Sequence, residues 1–387
     1  MKKILIFSLA YYPRHVSGAE IAIKEITDRI DDIEFHMVTL RFSPSDAREE
    51  KIGNVQIHRV GSFSYFSKMF FPIAAATKAR ALHRSLRFDA LWAMMTYMLL
   101  PVVTAKFLGV RVPHILTLQD GDPYEKVFGR LRILPFLPLL DYGFRTVALV
   151  QTISTYLREW PARRGYRGEV ILIPNGASAE SSLQYPQGEV DALKHTLGKQ
   201  DDHVFLLSIG RLVHQKAIDD IIRALPLLPR QVRLLAVGDG PDLPMLKQLV
   251  RKLGVEARVI FAGYTTDRNL TAKYRRISDI FVLPSRSEGQ GISFMSSMAS
   301  GLPIIATQEG GIADFLFDAK RNPEKPTTGW AVDKNSPAQI AEAVEDILAH
   351  PEKVKIAVDN AKRLVEQDYN WDTIARDMRQ KVFDRVI

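Results

Sequence analysis

The 387-residue sequence contains no cysteine, which excludes disulfide bonds, cysteine-ligated zinc and iron–sulfur clusters, and fits a reducing compartment, with the cytoplasm as the expected location. Long apolar runs are missing too. The longest uncharged stretch, residues 90–105, is interrupted by Pro101 and falls short of the roughly 20 residues a spanning helix needs, so no transmembrane segment is expected. The opening KKILIF reads as a first strand rather than a leader, because Tyr11, Tyr12, Pro13 and Arg14 follow without a small-x-small pattern. No G-x-S-x-G elbow, Walker loop or G-x-G-x-x-G is present, which removes the usual hydrolase, ATPase and dehydrogenase readings. Histidines such as His36, His58, His83, His114, His195, His203 and His214 lack ligand spacing, and no metal is expected.

Acidic residues are absent from one long stretch. Between Glu50 and Asp89 stand Lys51, Arg59, Lys68, Lys78, Arg80, Arg84 and Arg87, interleaved with Phe63, Tyr65, Phe66, Phe70 and Phe71. This pattern (residues 51–88) suits a surface that meets anionic lipid, where each basic residue contributes about 1 kcal/mol. The alternative is a solvated helix face whose aromatics belong to the core. Nucleic acid is not an expected partner, since no binding motif accompanies the patch.

What is present points to a large two-domain α/β protein: 46% hydrophobic and 25% charged residues suit ample cores. Residues 1–178 hold 24 basic and 16 acidic side chains, whereas the remaining 28 and 28 cancel, so the whole excess of +8 lies in the first half. In the second half HVFLLSIGRL, VRLLAVGDG, ARVIFAGY, DIFVLPS and LPIIAT are short apolar runs, each followed by small residues and an amphipathic segment. That alternation predicts a parallel sheet with helical crossovers. Ligands of such sheets bind beyond the carboxyl ends of the strands, where Gly210, Gly238, Gly263, Ser285, Gly310 and Gly311 gather. In PSRSEGQGISFMSSMASG, Gly289 and Gly291 supply a loop that brings backbone N–H groups to an anion at the helix starting near Ile292, and Gly301 stops that helix. The stretch reads as a site for a phosphorylated ligand.

Taken together in their order and spacing, YYPRHVSGAE, LIPNGAS, SIGRLVHQKAIDDIIRAL, LLAVGDGP, VIFAGY, SDIFVLPSRSEGQG, MASGLPIIAT and GGIADFL resemble the retaining glycosyltransferases of family 4, over essentially the whole chain. The resemblance implies the GT-B fold: two Rossmann-like, doubly wound parallel-sheet domains facing across a cleft. The corresponding division is residues 1–178 as an acceptor- and membrane-facing domain, 179–367 as a nucleotide-sugar donor domain, and 368–387 as a helix crossing back to the first.

In site residues, the resemblance gives Arg211 and Lys216 contact with the donor diphosphate. A guanidinium forks onto phosphate oxygens and a lysine adds a point charge, so the pair suits a diphosphate without metal. Glu288 aligns with the first glutamate of the family's E-x7-E motif, and Ser296 stands where the second glutamate contacts the donor ribose. Losing such a charged contact costs about 1.5–3 kcal/mol unless another group replaces it. Ser17 and Gly18 occupy the family's Gly-Gly turn against the diphosphate, with Ser17 as an N-cap for the helix from Ala19 to Ile30. Gly210, Gly263, Tyr264, Gly289, Gly291 and Ile292 complete the donor-side set. Gln119 and Asp120 stand at the family's His-Asp; glutamine cannot exchange a proton, which leaves Asp120 as the acceptor-side carboxylate. Asp120, Gly121 and Asp122 also spell D-x-D, a metal motif of a different glycosyltransferase fold, but a three-residue pattern is common by chance. The implied activity is transfer of a hexose from a nucleotide sugar to a glycan or lipid-linked acceptor, without metal and by a front-face mechanism. A nucleotide-sugar epimerase on the same scaffold, or a catalytically quiet glycan- or partner-binding protein, stays open because of Ser296 and Gln119.

Overall fold

The structure is a computed structural model and describes residues 1–62 and 64–387, with Tyr65 and Phe66 described by their backbone alone. Phe63 and the side chains of Tyr65 and Phe66, named above among the aromatics, lie outside the described residues. Two compact units emerge: residues 1–175 with 371–387, and residues 176–370. These seams lie three residues from the 178/179 and 367/368 divisions read from the sequence. Hydrogen bonding accounts for the difference, since the Asn175 side chain pairs with Gln119 of the first unit, while the Ala177 N–H donates to the Tyr369 carbonyl at 2.9 Å inside the second.

The first unit holds β1 (Lys2–Phe7), β2 (Ile33–Leu40), β3 (Glu49–Ile52), β4 (Val55–Val60), β5 (Ala90–Met94), β6 (His114–Leu118), β7 (Leu149–Thr152) and β8 (Val170–Leu172), in spatial order β3-β4-β2-β1-β5-β6-β7-β8. Every residue of β5, β6 and β7 is buried, as strands covered by helices on both faces must be. Winding reverses at β1, whose neighbours are β2 and β5, so the crevice beyond their carboxyl ends is the expected ligand position. One strand departs from the all-parallel expectation: β3 runs antiparallel to β4, with Ile52 opposite Val55. The two residues between them are Gly53 and Asn54, and Gly53 takes φ +56°, the positive angle that a tight hairpin requires. The first sheet is therefore mixed.

The second unit holds β9 (Val204–Ile209), β10 (Val232–Val237), β11 (Val259–Gly263), β12 (Ile280–Leu283), β13 (Ile304–Ala306) and β14 (Trp330–Ala331), all parallel, in order β11-β10-β9-β12-β13-β14. Its reversal lies at β9, flanked by β10 and β12. Phe205, Leu206, Leu207, Leu234, Leu235 and Phe281 are fully buried, and each such side chain contributes about 1.5–3 kcal/mol by leaving water.

The last residues belong to the first unit. The helix Trp371–Asp377 and the turn Met378–Phe383 bury Trp371, Ile374, Met378 and Phe383, and the Phe383 ring lies 5.1 Å from Trp92. Arg379 pairs with Asp32 at 2.7 Å.

The basic and aromatic residues of 51–88 divide between interior and surface. Phe71 is core, Arg59 is buried against Glu50 and the carbonyls of Ala47 and Tyr12, and Lys78 pairs with Glu49 at 2.8 Å. These three are spent on the fold. The helix Tyr65–Leu86 nevertheless exposes Lys68, Met69, Phe70, Ile73, Arg80 and Arg84. Among the described residues no helix is long and apolar enough to cross a membrane.

Candidate functional site

In the second unit, β9 and β12 sit side by side at the reversal, and their carboxyl ends carry the charged candidates. Arg211 follows β9 through Gly210; its guanidinium is exposed and has no carboxylate partner among the described residues. The chain then forms a one-turn 3-10 helix, His214–Lys216, and Ala217 swings to φ +53° before the helix Ile218–Ala224 begins. That bend ends the turn at Lys216 and sets the start of the next helix at Ile218.

Lys216 meets the loop after β12. Its ammonium donates to Oε2 of Glu288, and both side chains are largely covered. Two glycines make the Glu288 position tenable. A Cβ on Gly310, at φ +61°, would lie 2.1 Å from the Glu288 carbonyl oxygen, while the Gly311 N–H donates to that same oxygen at 3.0 Å. Gly291, at φ +93°, leaves no room for a side chain beside Phe294. Substitution at either would push the loop away from Lys216.

Arg286 holds the two loops in register. Its backbone N–H donates to the Gln215 carbonyl at 2.7 Å, and its guanidinium donates to the His214 carbonyl at 2.7 Å, to both oxygens of Asp219 at 2.9 and 3.0 Å, and to Asp220 at 2.8 Å. Nε reaches Asn335 at 2.6 Å. The planar fork thus ties the Glu288 loop to the turn that carries Lys216. Burial works against the Asp219 carboxylate, but hydrogen bonds from Arg286 and Arg223 outweigh it and hold the group below its ordinary range. Asp220 is pushed up, by burial and by the Asp219 charge beside it.

The other candidates of the second unit lie at the ends of β11 and β12 and on the helix that follows β12. Gly263 ends β11 at φ +79°, and Tyr264 next to it is exposed. Gly289 is buried, and Ile292 opens the helix Ile292–Ala299, which Gly301 at φ +79° terminates. Ser296 is fully buried in that helix, and its hydroxyl accepts the Ser178 N–H at 3.0 Å. Its side chain therefore anchors the segment entering the second unit.

In the first unit the candidates are engaged by partners of their own unit, Ser17 at the surface and Gln119 and Asp120 in the interior. Ser17 precedes the helix Gly18–Thr27 in a capping box: its N–H donates to the Glu20 carboxylate at 2.9 Å, so that donor is occupied. Gln119 and Asn175 exchange amide hydrogen bonds at 3.2 and 3.1 Å. Asp120, just beyond β6, accepts from the Thr96 N–H at 3.2 Å and hydroxyl at 2.9 Å. Burial raises its pKa to about 6, with Asp122 adding to the rise and Thr96 opposing it. Asp122 pairs with Lys126 at 2.9 Å and with Arg130, so two cations already neutralise the second carboxylate of the D-x-D triplet.

Sequence reasoning missed Arg286, Thr96 and Asn175. Arg286 stands inside the quoted motif, but its partners lie 49 to 72 residues away, and no local signal announces them. The motif places one cation and one acid at adjacent strand ends, with a further cation, Arg211, left unpaired: an arrangement able to receive a diphosphate.

Comparison with known proteins bears on the family and the fold. An uncharacterized glycosyltransferase of Methanocaldococcus jannaschii is 26% identical over 97% of this chain and 96% of its own. Alpha-monoglucosyldiacylglycerol synthase of Streptococcus pneumoniae is 28% identical over 82% of this chain and 73% of its own. Among solved structures, Anabaena HepE in complex with UDP and glucose matches with a TM-score of 0.79 and 19% identity, over 99% of this chain and 100% of that one, which places the fold as GT-B. Family models described as glycosyl transferases group 1 and as a glycosyl transferase 4-like domain match residues 189–364 and 19–176 respectively. With each unit matched by its own model, the chain belongs to the group 1 glycosyl transferases and is a glycosyltransferase of GT-B fold.

Proposed function

We propose that the protein is a retaining hexosyltransferase that uses a nucleotide-sugar donor without metal and acts on a glycan or lipid-linked acceptor at the inner face of a membrane. The observation that carries this reading is the Lys216–Glu288 pair locked by Arg286 at the β9/β12 reversal, with Arg211, exposed just after β9, lacking a carboxylate partner among the described residues. Arg211 and Lys216 neutralise the donor diphosphate as it leaves, which lowers the barrier because the charge they meet grows in the transition state. Glu288 orients the Lys216 ammonium and accepts from a donor hydroxyl.

In the front-face step the bond between the sugar's anomeric carbon and the phosphate oxygen breaks, and the acceptor oxygen bonds to that carbon from the same side. The acceptor's proton passes to the departing phosphate. Asp120 serves as the acceptor-side carboxylate, with Gln119 beside it as a neutral hydrogen-bonding group. By the family resemblance, Ser17 and Gly18 are the first unit's residues for the diphosphate, and Gly263, Tyr264, Gly289, Gly291, Ile292 and Ser296 are the second unit's residues for the donor.

The name of the pneumococcal relative carries a diacylglycerol acceptor, and the HepE structure holds UDP and glucose; both support lipid or glycan acceptors and a nucleotide-sugar donor here. Lys68, Met69, Phe70, Ile73, Arg80 and Arg84 on one helix supply apolar anchors and positive charge for an anionic bilayer. The test is the anomeric configuration of the product by proton NMR, with and without EDTA. Retention that survives EDTA is expected, whereas an inverted product, or activity abolished by EDTA and restored by a divalent ion, contradicts the proposal.

A further inference from the structure

A second site lies in the first unit, away from these strand ends. Phe107 closes the helix Leu99–Phe107, and Val112 and Pro113 lead into β6 at His114. These residues therefore sit at the amino end of β6, whereas Asp120 lies beyond its carboxyl end, about 20 Å along the strand direction at roughly 3.3 Å per residue. Lys106, Phe107, Arg111, Val112, Pro113 and Tyr142 line a cavity of about 560 Å³ there.

Its chemistry is one-sided. No carboxylate lines it, and neither Lys106 nor Arg111 has an acidic partner among the described residues. Asp141, next to Tyr142 in sequence, is paired with Arg164 instead. Lys106 is half-buried, and burial pushes its pKa below the ordinary lysine value. Its Nζ contact is His114 Nδ1 at 3.2 Å; the His114 Nε2 lies 3.1 Å from the Gly143 carbonyl and donates to it, which leaves Nδ1 as the acceptor. Burial, reinforced by Lys106, pushes the His114 pKa down to about 3, so the ring is neutral at physiological pH and cannot balance the lysine. Beside the cations, Phe107 (66% exposed) and Tyr142 (40% exposed) stack with centroids 5.6 Å apart and planes at 24°. Aromatic area left in water and cations left without counter-charge both cost free energy that a bound ligand recovers.

We propose that this pocket binds an anionic saccharide: the C–H face of a sugar ring lies on Phe107 and Tyr142, and its phosphate or carboxylate group meets Lys106 and Arg111. The site is independent of the donor chemistry proposed above and holds a charged glycan at a distance from the reacting strand ends.

The test is calorimetric titration of the full chain carrying Arg211→Ala and Lys216→Ala, which removes the two cations proposed to meet the donor diphosphate in the second unit. The probes are glucose 1-phosphate, glucuronate, glucose and inorganic phosphate. Binding of glucose 1-phosphate or glucuronate, whichever charge the pocket prefers, is expected, with glucose and inorganic phosphate each about tenfold weaker or worse. Phe107→Ala and Arg111→Ala, both on exposed side chains, each weaken binding about tenfold. Binding unchanged by both substitutions overturns the proposal, as does inorganic phosphate binding as tightly as the sugar phosphate, or no binding of any probe at millimolar concentration by a protein whose near-UV circular dichroism is native.

Discussion

The carboxyl ends of the two sheets present similar numbers of polar groups and treat them in opposite ways. Beyond β9 and β12, Lys216 and Glu288 form one bridge at a covered but reachable position, Arg286 fixes the geometry, and Arg211 keeps its charge free. Beyond β5 and β6, Asp120 is satisfied by Thr96, Gln119 by Asn175, and Asp122 by Lys126 and Arg130. The difference separates an end that leaves a cation open to negative charge from one that holds its polar groups in a fixed frame. A buried polar group with its partners in place contributes shape and rigidity, whereas an exposed, unpartnered cation at a strand end contributes affinity.

That contrast predicts a large effect first. Lys216→Ala or Glu288→Gln should lower the initial rate of sugar transfer about 10²–10³-fold, the cost of removing one preorganised electrostatic group, measured at a temperature where each variant is fully folded because a covered charge loses its partner. Next, Arg286→Gln leaves Asp219 and Asp220 close together with only Arg223 to compensate, and should cost about 3 kcal/mol in denaturant unfolding. The pH dependence sharpens this. Because Asp219 is held below its ordinary value in the fold, it stabilises the protein above the unfolded carboxylate pKa of about 4 and that contribution is lost as pH falls through its depressed folded value; in the variant, with Arg223 alone retained, this acid-side dependence should weaken.

Asp120 should behave in the opposite sense. Its folded pKa of about 6 lies above the unfolded value, so the native state binds the extra proton, and stability declines as pH rises from about 4 to about 6 and stays lower above it. Asp120→Asn retains an acceptor for Thr96 without the buried charge, and should raise stability at pH 7 by up to roughly 3 kcal/mol while flattening that decline. Melting temperatures between pH 4 and 7 decide it. Ala217→Gly is the smallest effect. Relief of a φ of +53° returns about 1 kcal/mol, and the lost buried methyl and added chain entropy take back a similar amount, so the melting point should hardly move. In Ala224→Gly, within the helix Ile218–Ala224, nothing offsets the loss and a drop of about 1 kcal/mol or more should appear.

Much of this was legible in the chain. Continuous apolar runs such as VFLLSI and IFVL betray parallel strands because both faces are buried, and glycines after them betray strand ends where the backbone turns. Arg211, Lys216 and Glu288 could be named because each stands in a motif that follows an apolar run and resembles the family's, although the Lys216–Glu288 contact itself spans 72 residues. What stayed hidden was tertiary. The partners of Arg286 come from another strand's crossover, Thr96 reaches Asp120 across the neighbouring strand β5, and the occupation of Ser296 by the Ser178 N–H joins segments more than a hundred residues apart. The antiparallel β3 had a local signal, the Gly53–Asn54 pair, which its short flanking run obscured.

The most direct test of the contrast between the two ends is calorimetric titration of UDP, GDP and ADP into the wild-type chain, Arg211→Ala, Lys216→Ala and Asp120→Asn. One nucleoside diphosphate should bind to the wild type and to Asp120→Asn with similar affinity, and about 10–100-fold more weakly to each of the other two. Binding that survives Arg211→Ala and Lys216→Ala but is lost in Asp120→Asn would contradict the account.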